Sequence, residues 1–230
     1  MRKFLPLFYF LTFILSANAQ DIQRKQLIAS RITSNIHIDG ILNEPEWADV
    51  AEATDFTQFQ FVYGKPSAYA TSIKVMYDNT AIYIGATMYD PHPDSIQKDL
   101  AARDEFGSAD FILIIMDPYQ ECGNGIEFFV TASGVQAEAK TYPNSDNGED
   151  FTWDAVWVSA AKITEKGWIA ELKIPFSAIR FPNKDEQSWY INFVREVKRN
   201  RDKSAWNAID PQVQGFVNQS GILTGINNIK

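Results

Sequence analysis

The chain has 230 residues, with 21 Lys and Arg against 29 Asp and Glu, for a net charge of −8. That balance disfavours a nucleic-acid partner, whose phosphates demand a basic surface, and leaves a cation or a neutral polyol open. A single cysteine, Cys122, excludes an internal disulfide, and two scattered histidines, His37 and His92, do not make a zinc set.

Arg2 and Lys3 precede an apolar run over residues 4–15, and Ala17-Asn18-Ala19 follows as a small-residue cleavage pattern. This order predicts a secretory signal peptide over residues 1–19. The run is shorter than the roughly 20 apolar residues that a membrane span needs. The expected product is secreted, and so periplasmic, extracellular or outer-membrane-associated. Residues 20–35 read as a polar lead-in and residues 36–230 as one domain. A chain of this size buries roughly 70% of its unfolded surface and needs no covalent staples.

Asp39-Gly40 permits a tight turn. Asn43 then reads as the cap of a short helix, with Pro45 in its first turn and Glu46 at the reciprocal capping position. Trp47 is expected to plug the end of the fold. Ile73, Val75 and Tyr77 alternate with Ser72, Lys74 and Met76; Ile82, Ile84, Ala86 and Met88 alternate with Tyr83, Gly85, Thr87 and Tyr89; and Asp78-Asn79-Thr80 joins the two runs into a hairpin. Pro91 and Pro93 end it, because proline cannot donate to a ladder. Residues 111–116 form a continuous apolar run that suits a central strand. Strands follow over 126–131 and 135–141, with a turn at Ser133-Gly134. Another hairpin pairs 155–163 with 168–174 across a turn at 164–167. In its second strand Trp168, Ala170, Leu172 and Ile174 share one face, and Ile169, Glu171 and Lys173 the other. Residues 175–179 suggest a second helical turn. Trp189, Ile191 and Phe193 repeat the alternation, and residues 221–226 close the fold. The fold class is therefore all-β: an antiparallel β-sandwich, immunoglobulin-like or jelly-roll-like, with one or two short helical turns.

Chemistry-bearing motifs are few. There is no G-x-S-x-G elbow, no P-loop and no dinucleotide fingerprint. The densest acidic group holds Asp146, Glu149, Asp150 and Asp154. It reads as a solvated loop, as a calcium loop built from hard oxygen donors, or as a source of paired catalytic carboxylates. The EF-hand spacing is absent. Aromatic residues are plentiful: 16 Phe, 9 Tyr and 6 Trp. Sugar rings stack on aromatic faces, so aromatics in loops are candidates: Phe106, Phe151, Trp153, Trp157 and Phe216. Each of them also has an ordinary packing role available, Trp157 above all.

Several of these pieces, in this order, resemble the family 9 carbohydrate-binding modules. They are Ile36-His37-Ile38-Asp39-Gly40, Glu46-Trp47, the hairpin from Tyr77-Asp78 to Tyr83, Ser108-Ala109-Asp110 before a strand ending Met116-Asp117, and Gly167-Trp168-Ile169-Ala170-Glu171 with Ile174-Pro175. The similarity runs from about Ile36 to Ile226. Arg103-Asp104, Trp153-Asp154-Ala155-Val156-Trp157 and Ile174-Pro175-Phe176-Ser177-Ala178-Ile179-Arg180-Phe181 resemble a subgroup: the N-terminal domains of large secreted or outer-membrane-associated bacterial proteins that continue into a barrel-like region.

The resemblance implies a sugar-binding sandwich, often near calcium and usually attached to a glycoside hydrolase. In sugar-binding relatives two tryptophans hold the sugar; here those places fall at Phe106 or Gly107 and near Phe216. A glutamate and an arginine that grip hydroxyls fall near Leu113 and Phe129, both apolar. The expectation is a non-catalytic, monomeric carbohydrate-binding module with an outer-membrane or glycoside hydrolase partner. Phe106, Phe216 and Trp153 would stack on the sugar, Arg103, Asp104 and Asp110 would hydrogen-bond it, and Asp146, Glu149 and Asp150 would hold calcium. The alternative is a docking sandwich that has lost the sugar site and contacts a protein partner. A hydrolase subunit is the third reading.

Overall fold

The computed structural model describes residues 23–142 and 148–229; the expected signal peptide lies outside the described residues. With strands numbered in chain order, the first sheet runs β1 (Gln26–Ile28), β15 (Gly221–Asn227), β13 (Glu186–Val197), β7 (Phe111–Asp117), β8 (Gly125–Thr131), β9 (Gln136–Thr141) and β10 (Glu149–Asp150). β14 (Asp202–Ala205) pairs with the second half of β13, and β4 (Thr57–Gln58) lies outside it. The second sheet runs β11 (Val158–Thr164), β12 (Gly167–Pro175), β6 (Ala81–Tyr89), β5 (Thr71–Tyr77) and β2 (Ser30–Arg31), with β3 (Glu52–Ala53) also on β5. Helix among the described residues is confined to single 3-10 turns, which include Pro45–Trp47 and Phe176–Ala178.

The alternation in the sequence explains the layers. Because successive strand residues point to opposite faces, Trp168, Ala170, Leu172 and Ile174 of β12 all enter the space between the sheets, and each is fully buried. Ile73, Val75 and Tyr77 of β5 and Ile82, Ile84, Ala86 and Met88 of β6 join them. Across the gap stand Ile112, Ile114 and Met116 of β7, Phe128 and Val130 of β8, and Trp189, Ile191 and Phe193 of β13. One core results, drawn from both inner faces, as in other aligned sandwiches. The long ladders are antiparallel.

Some local features differ from the sequence reading. The polar lead-in contributes two short strands: β1 runs parallel to β15 and β2 parallel to β5. Leu27 and Ala29 give their apolar side chains to the core, in an alternation too short to stand out among Arg24, Lys25 and Gln26. Asn43 is not a cap. The residue before the turn is Glu44, with no side-chain capping bond, because its carboxylate accepts the His37 N–H at 3.1 Å instead. Glu46 accepts the Ser34 hydroxyl rather than closing a capping box. β11 begins at Val158, later than residue 155, because the Ala155 N–H turns to Glu138 at 2.9 Å and leaves the ladder.

Trp47 is a plug, as expected, but of the outer face of the second sheet. Its ring packs with Ile32, Ile36, Val50, Met76 and Tyr83. The close approach depends on Gly85, where a Cβ would lie 2.7 Å from Leu42 and 3.0 Å from the Trp47 ring. The segment is held by Glu171, fully buried on that face. One oxygen of its carboxylate accepts the N–H groups of Asp39 at 2.9 Å, Gly40 at 2.8 Å and Ile41 at 3.3 Å.

Truncating a core ring tests this layering. Trp168→Ala is expected to cost about 3–5 kcal/mol, read as a lower midpoint in urea unfolding. Val156→Ala, at a side chain 87% exposed, is expected to change stability by less than about 0.5 kcal/mol.

Candidate functional site

The outer face of the first sheet is the first place to look, because Phe106 and Phe216 border it. Phe111, Leu113 and Ile115 of β7, Phe129 of β8 and Ala137 and Ala139 of β9 form a second apolar cluster there. Phe59, Phe106 and Phe151 pack onto it. The Phe106 ring lies 4.9 Å from Phe129, 5.6 Å from Phe111 and 5.8 Å from Phe151, centroid to centroid. Leu113 and Phe129, at the positions where hydroxyl-gripping residues would fall, are therefore buried under other side chains. The space a sugar would occupy over them is filled from within. Phe216 is 48% exposed and meets Phe59 edge-on at 6.1 Å.

The expected hydrogen-bonding residues are engaged inside the fold. Arg103 donates to both carboxylate oxygens of Glu138, at 2.6 and 2.7 Å, and to Gln136 at 2.7 Å. Glu138 is fully buried, and it also accepts the Ala155 N–H at 2.9 Å and the Trp157 indole N–H at 3.0 Å. Trp157 is accordingly a core residue, 5.2 Å from Phe128. Asp104 sits at φ +66° in the turn before Phe106 and accepts the Glu138 N–H. Asp110 is fully buried and accepts the Lys198 N–H at 2.9 Å. Burial pushes its carboxyl above the usual range, against the pull of Arg195 and Arg199. Arg195 is buried beside it and spans the two sheets, donating to the carbonyls of Ala70 and Tyr89 at 3.0 Å each. Arg103, Asp104 and Asp110 thus hold loops and sheet ends together.

Trp153 stands apart from Phe106 and Phe216. It packs against the inner core at the sandwich rim, edge-to-face with Phe128 at 6.0 Å. Half-buried, it lines a cleft of about 360 Å³ with Ile126, Lys140, Asp154, Ser177 and Arg180. The Lys140 ammonium lies over the indole, 4.9 Å from the ring centroid. Lys140 and Arg180 also line a neighbouring cleft of about 320 Å³ with Tyr119, Tyr142 and Asn124. Arg180 and Tyr119 border a third, wider hollow of about 830 Å³ beside Phe181 and Asn183. Together the three make one trough along the rim, with Arg180 common to all of them.

The cleft under Trp47, also about 360 Å³, differs in kind. Its Lys74 pairs with Glu52 at 3.3 Å and donates to the Trp47 carbonyl, so its charge is already answered. Lys140 and Arg180 are functional candidates that reasoning from the sequence passed over. Lys140 reads there as one more residue of an alternating strand, and Arg180 as part of a motif.

The acidic loop does not assemble a calcium site from its described residues. Asp146 lies outside the described residues. Glu149 and Asp150 are neighbours on β10, so their side chains leave opposite faces of the strand. Asp150 also accepts the Thr152 N–H and hydroxyl, at 3.0 and 2.6 Å. Among the described residues no group of three or more His, Cys, Asp or Glu side chains is placed to hold a metal ion.

One buried acid on the outer face has an unusual state. Glu127 is 3% exposed; one oxygen accepts the Thr141 hydroxyl at 2.6 Å, and the other has no partner among the described residues. Burial pushes its pKa up to about 8, with the Glu149 charge adding and the Thr141 bond opposing.

A family model described as carbohydrate family 9 binding domain-like matches residues 38–220. Two solved carbohydrate binding modules of family 9 from Caldicellulosiruptor kristjanssonii, one in complex with cellotriose and one with glucose, share the fold. Their TM-scores are 0.61 and 0.60, at 14% and 16% identity. The alignments cover 87% of this chain in both cases and 93% and 95% of theirs. A protein from Bacteroides uniformis ATCC 8492 aligns at TM-score 0.66 and 12% identity, over 88% of this chain and 99% of its own. No curated protein matches the chain.

The state of Glu127 predicts a pH dependence. With a folded pKa of about 8 against an ordinary glutamate value of 4.5, the folded state holds a proton that the unfolded state has lost across that window. The contribution of Glu127 to stability is full below the lower value, falls as pH rises through the window and is flat above it. Glu127→Gln should remove this slope, so the melting temperature of the variant minus that of the parent should rise from pH 5 to pH 8 and then level off.

Proposed function

The chain belongs to the carbohydrate family 9 binding domain-like family, and on that premise we propose that it is a secreted, monomeric, non-catalytic module that holds a saccharide in the rim trough beside Trp153. The observation that carries this reading is the trough itself. The Trp153 indole meets hydrogen-bonding groups on Lys140, Asp154, Ser177 and Arg180 in one concavity, and the Lys140 ammonium that lies over the ring would swing aside on its flexible stem for a sugar to stack there. A saccharide needs that combination: C–H groups rest on the ring while the hydroxyls find donors and acceptors. The filled outer face supports placing the sugar at the rim. The charged and leader-like start of the chain, residues 1–19, supports export, and a glycoside hydrolase or an outer-membrane assembly is the partner such a module would serve.

A second reading has its own support. The hairpin after β4 ends in Phe61, Val62 and Tyr63, which are 71%, 39% and 53% exposed, and its Phe59 meets the half-exposed Phe216. Apolar side chains grouped at a surface mark contact sites for proteins, so docking to a protein partner through this tip is the alternative.

Calorimetric titration with soluble glycans separates the two readings. Trp153→Ala is expected to weaken glycan binding about tenfold, the equivalent of ~1.4 kcal/mol, and Phe61→Ser to leave it unchanged. Binding that survives Trp153→Ala and is lost in Phe216→Ala returns the sugar to the outer face. Equal affinity in EDTA and in calcium is expected, and so is no turnover of chromogenic glycosides.

A further inference from the structure

We infer that the saccharide held in the rim trough is anionic, carrying a carboxylate or sulfate group that Arg180 and Lys140 take up; this rests on the trough being the sugar site. The argument starts from charge. On a chain with a net charge of −8, the basic side chains that face built structure are mostly answered. Arg103 pairs with Glu138, Arg199 with Asp90, Lys74 with Glu52, and Lys198 and Lys203 both with Glu196. Arg24 and Arg31 donate to backbone carbonyls, as does the buried Arg195. Of the arginines among the described residues, only Arg180 and Arg201 have side chains that make neither a hydrogen bond nor an ion pair. Arg180 borders all three hollows of the trough. Lys140, which shares two of those hollows with it, has the Trp153 ring as its partner and no carboxylate within ion-pairing distance.

Four carboxylates lie near these cations: Asp117, Glu121 and Asp154 line the trough, and Asp150 faces Lys140. Asp150 accepts from Thr152 but stands opposite Lys140 in the β9–β10 ladder; the Thr152 hydrogen bonds, and to a lesser degree the Lys140 charge, hold its carboxyl below the usual range. Asp117 is buried and accepts the Cys122 N–H. Glu121 accepts from Asn124 at 3.2 Å. Asp154 is the one carboxylate of the trough without a partner of its own among the described residues, and it lies in the Trp153 hollow alone. Lys140 is thus partly answered by Asp150, and Arg180 is the cation of the trough whose side chain has no partner among the described residues.

The geometry also suits the chemistry. A guanidinium offers a planar fork that matches a carboxylate or a sulfate with two parallel hydrogen bonds, and an ammonium adds a point charge. A neutral hydroxyl would use neither to the full. With the indole next to Lys140, a sugar ring stacked on Trp153 would carry its acidic substituent toward Arg180.

The test uses three hexasaccharides of equal length: cellohexaose, hexagalacturonate and a sulfated carrageenan hexamer, titrated calorimetrically at low and at physiological salt. At least one anionic probe should bind about tenfold or more tighter than cellohexaose, and lose most of that advantage as salt screens the charges. Arg180→Gln and Lys140→Gln should each remove much of the preference without shifting the melting temperature, because neither side chain holds the fold together. Asp154→Asn should strengthen the anionic probe. Preference for the uronate alone identifies a carboxylate ligand; preference for the carrageenan alone identifies a sulfate ester. Cellohexaose binding as tightly as either anion, with Trp153→Ala abolishing it, overturns the anionic assignment and leaves the trough as the sugar site. Probes that do not bind, or that bind indifferently to Trp153→Ala, overturn both.

Discussion

A carboxylate taken out of water must be met by donors, and two buried glutamates use that requirement to hold the loops of this sandwich. Glu171 gathers three successive N–H groups from the turn at Asp39-Gly40-Ile41 and so ties the opening segment to the outer face of the second sheet. Glu138 gathers Arg103, the Ala155 N–H and the Trp157 indole, and so ties two loops to the edge of the first sheet. An unpaired charge in either place would cost several kcal/mol. The loops are thus placed by what the glutamates lack rather than by any propensity of their own. Gly40 contributes the backbone freedom: at φ +82° it turns its N–H toward Glu171, and a Cβ there would come within 3.2 Å of the β11 backbone.

This clamping decides what is left for function. Arg103 and Asp104 look like ligand-binding residues in sequence because they are polar and stand beside an aromatic residue. In three dimensions they are the other half of the Glu138 clamp. Phe106 follows them directly and is carried down onto Phe129. With Phe151 arriving from the opposite side, the outer face of the first sheet is closed by the chain's own rings. Where the sheet edge meets the 3-10 turn at Phe176–Ala178, the Trp153 indole instead borders a cleft.

The parts of the fold that could be read in the sequence are those set by local periodicity. The β5–β6 and β11–β12 hairpins, the buried run of β7 and the inward face of β12 follow from alternation, turn residues and proline, all of which act over a few residues. The short strands β1 and β2 do not, because a strand of two or three residues is defined by the neighbour it pairs with. Site residues were harder for the same reason. Trp153 was legible as a loop aromatic. Its separation from Phe106 was not, since residues 151 and 153 are only two apart and yet Phe151 joins the outer cluster and Trp153 the inner one. Lys140 carried a faint signal: with Gln136 and Glu138 it makes a polar row on one face of β9, opposite the Ala137 and Ala139 face. A row of that kind on the inner side of a sandwich belongs at a rim, where the core gives out.

The same clamps bear on how strongly the trough can bind. Trp153 is held from both sides along the chain: Asp150 fixes Thr152 just before it, and Glu138 fixes Ala155 just after. Its ring is therefore ordered before any ligand arrives, and little conformational freedom remains to be lost on stacking. The two cations are different. Arg180 is exposed beyond a single 3-10 turn, and Lys140 reaches the trough on a long flexible stem. Fixing either on an anionic group costs rotamer entropy of up to about 2 kcal/mol, which offsets much of what a partly solvated ion pair contributes. The division that follows is physical. On the proposed reading, the indole would contribute affinity for any sugar and the charges would favour one class of ligand over another.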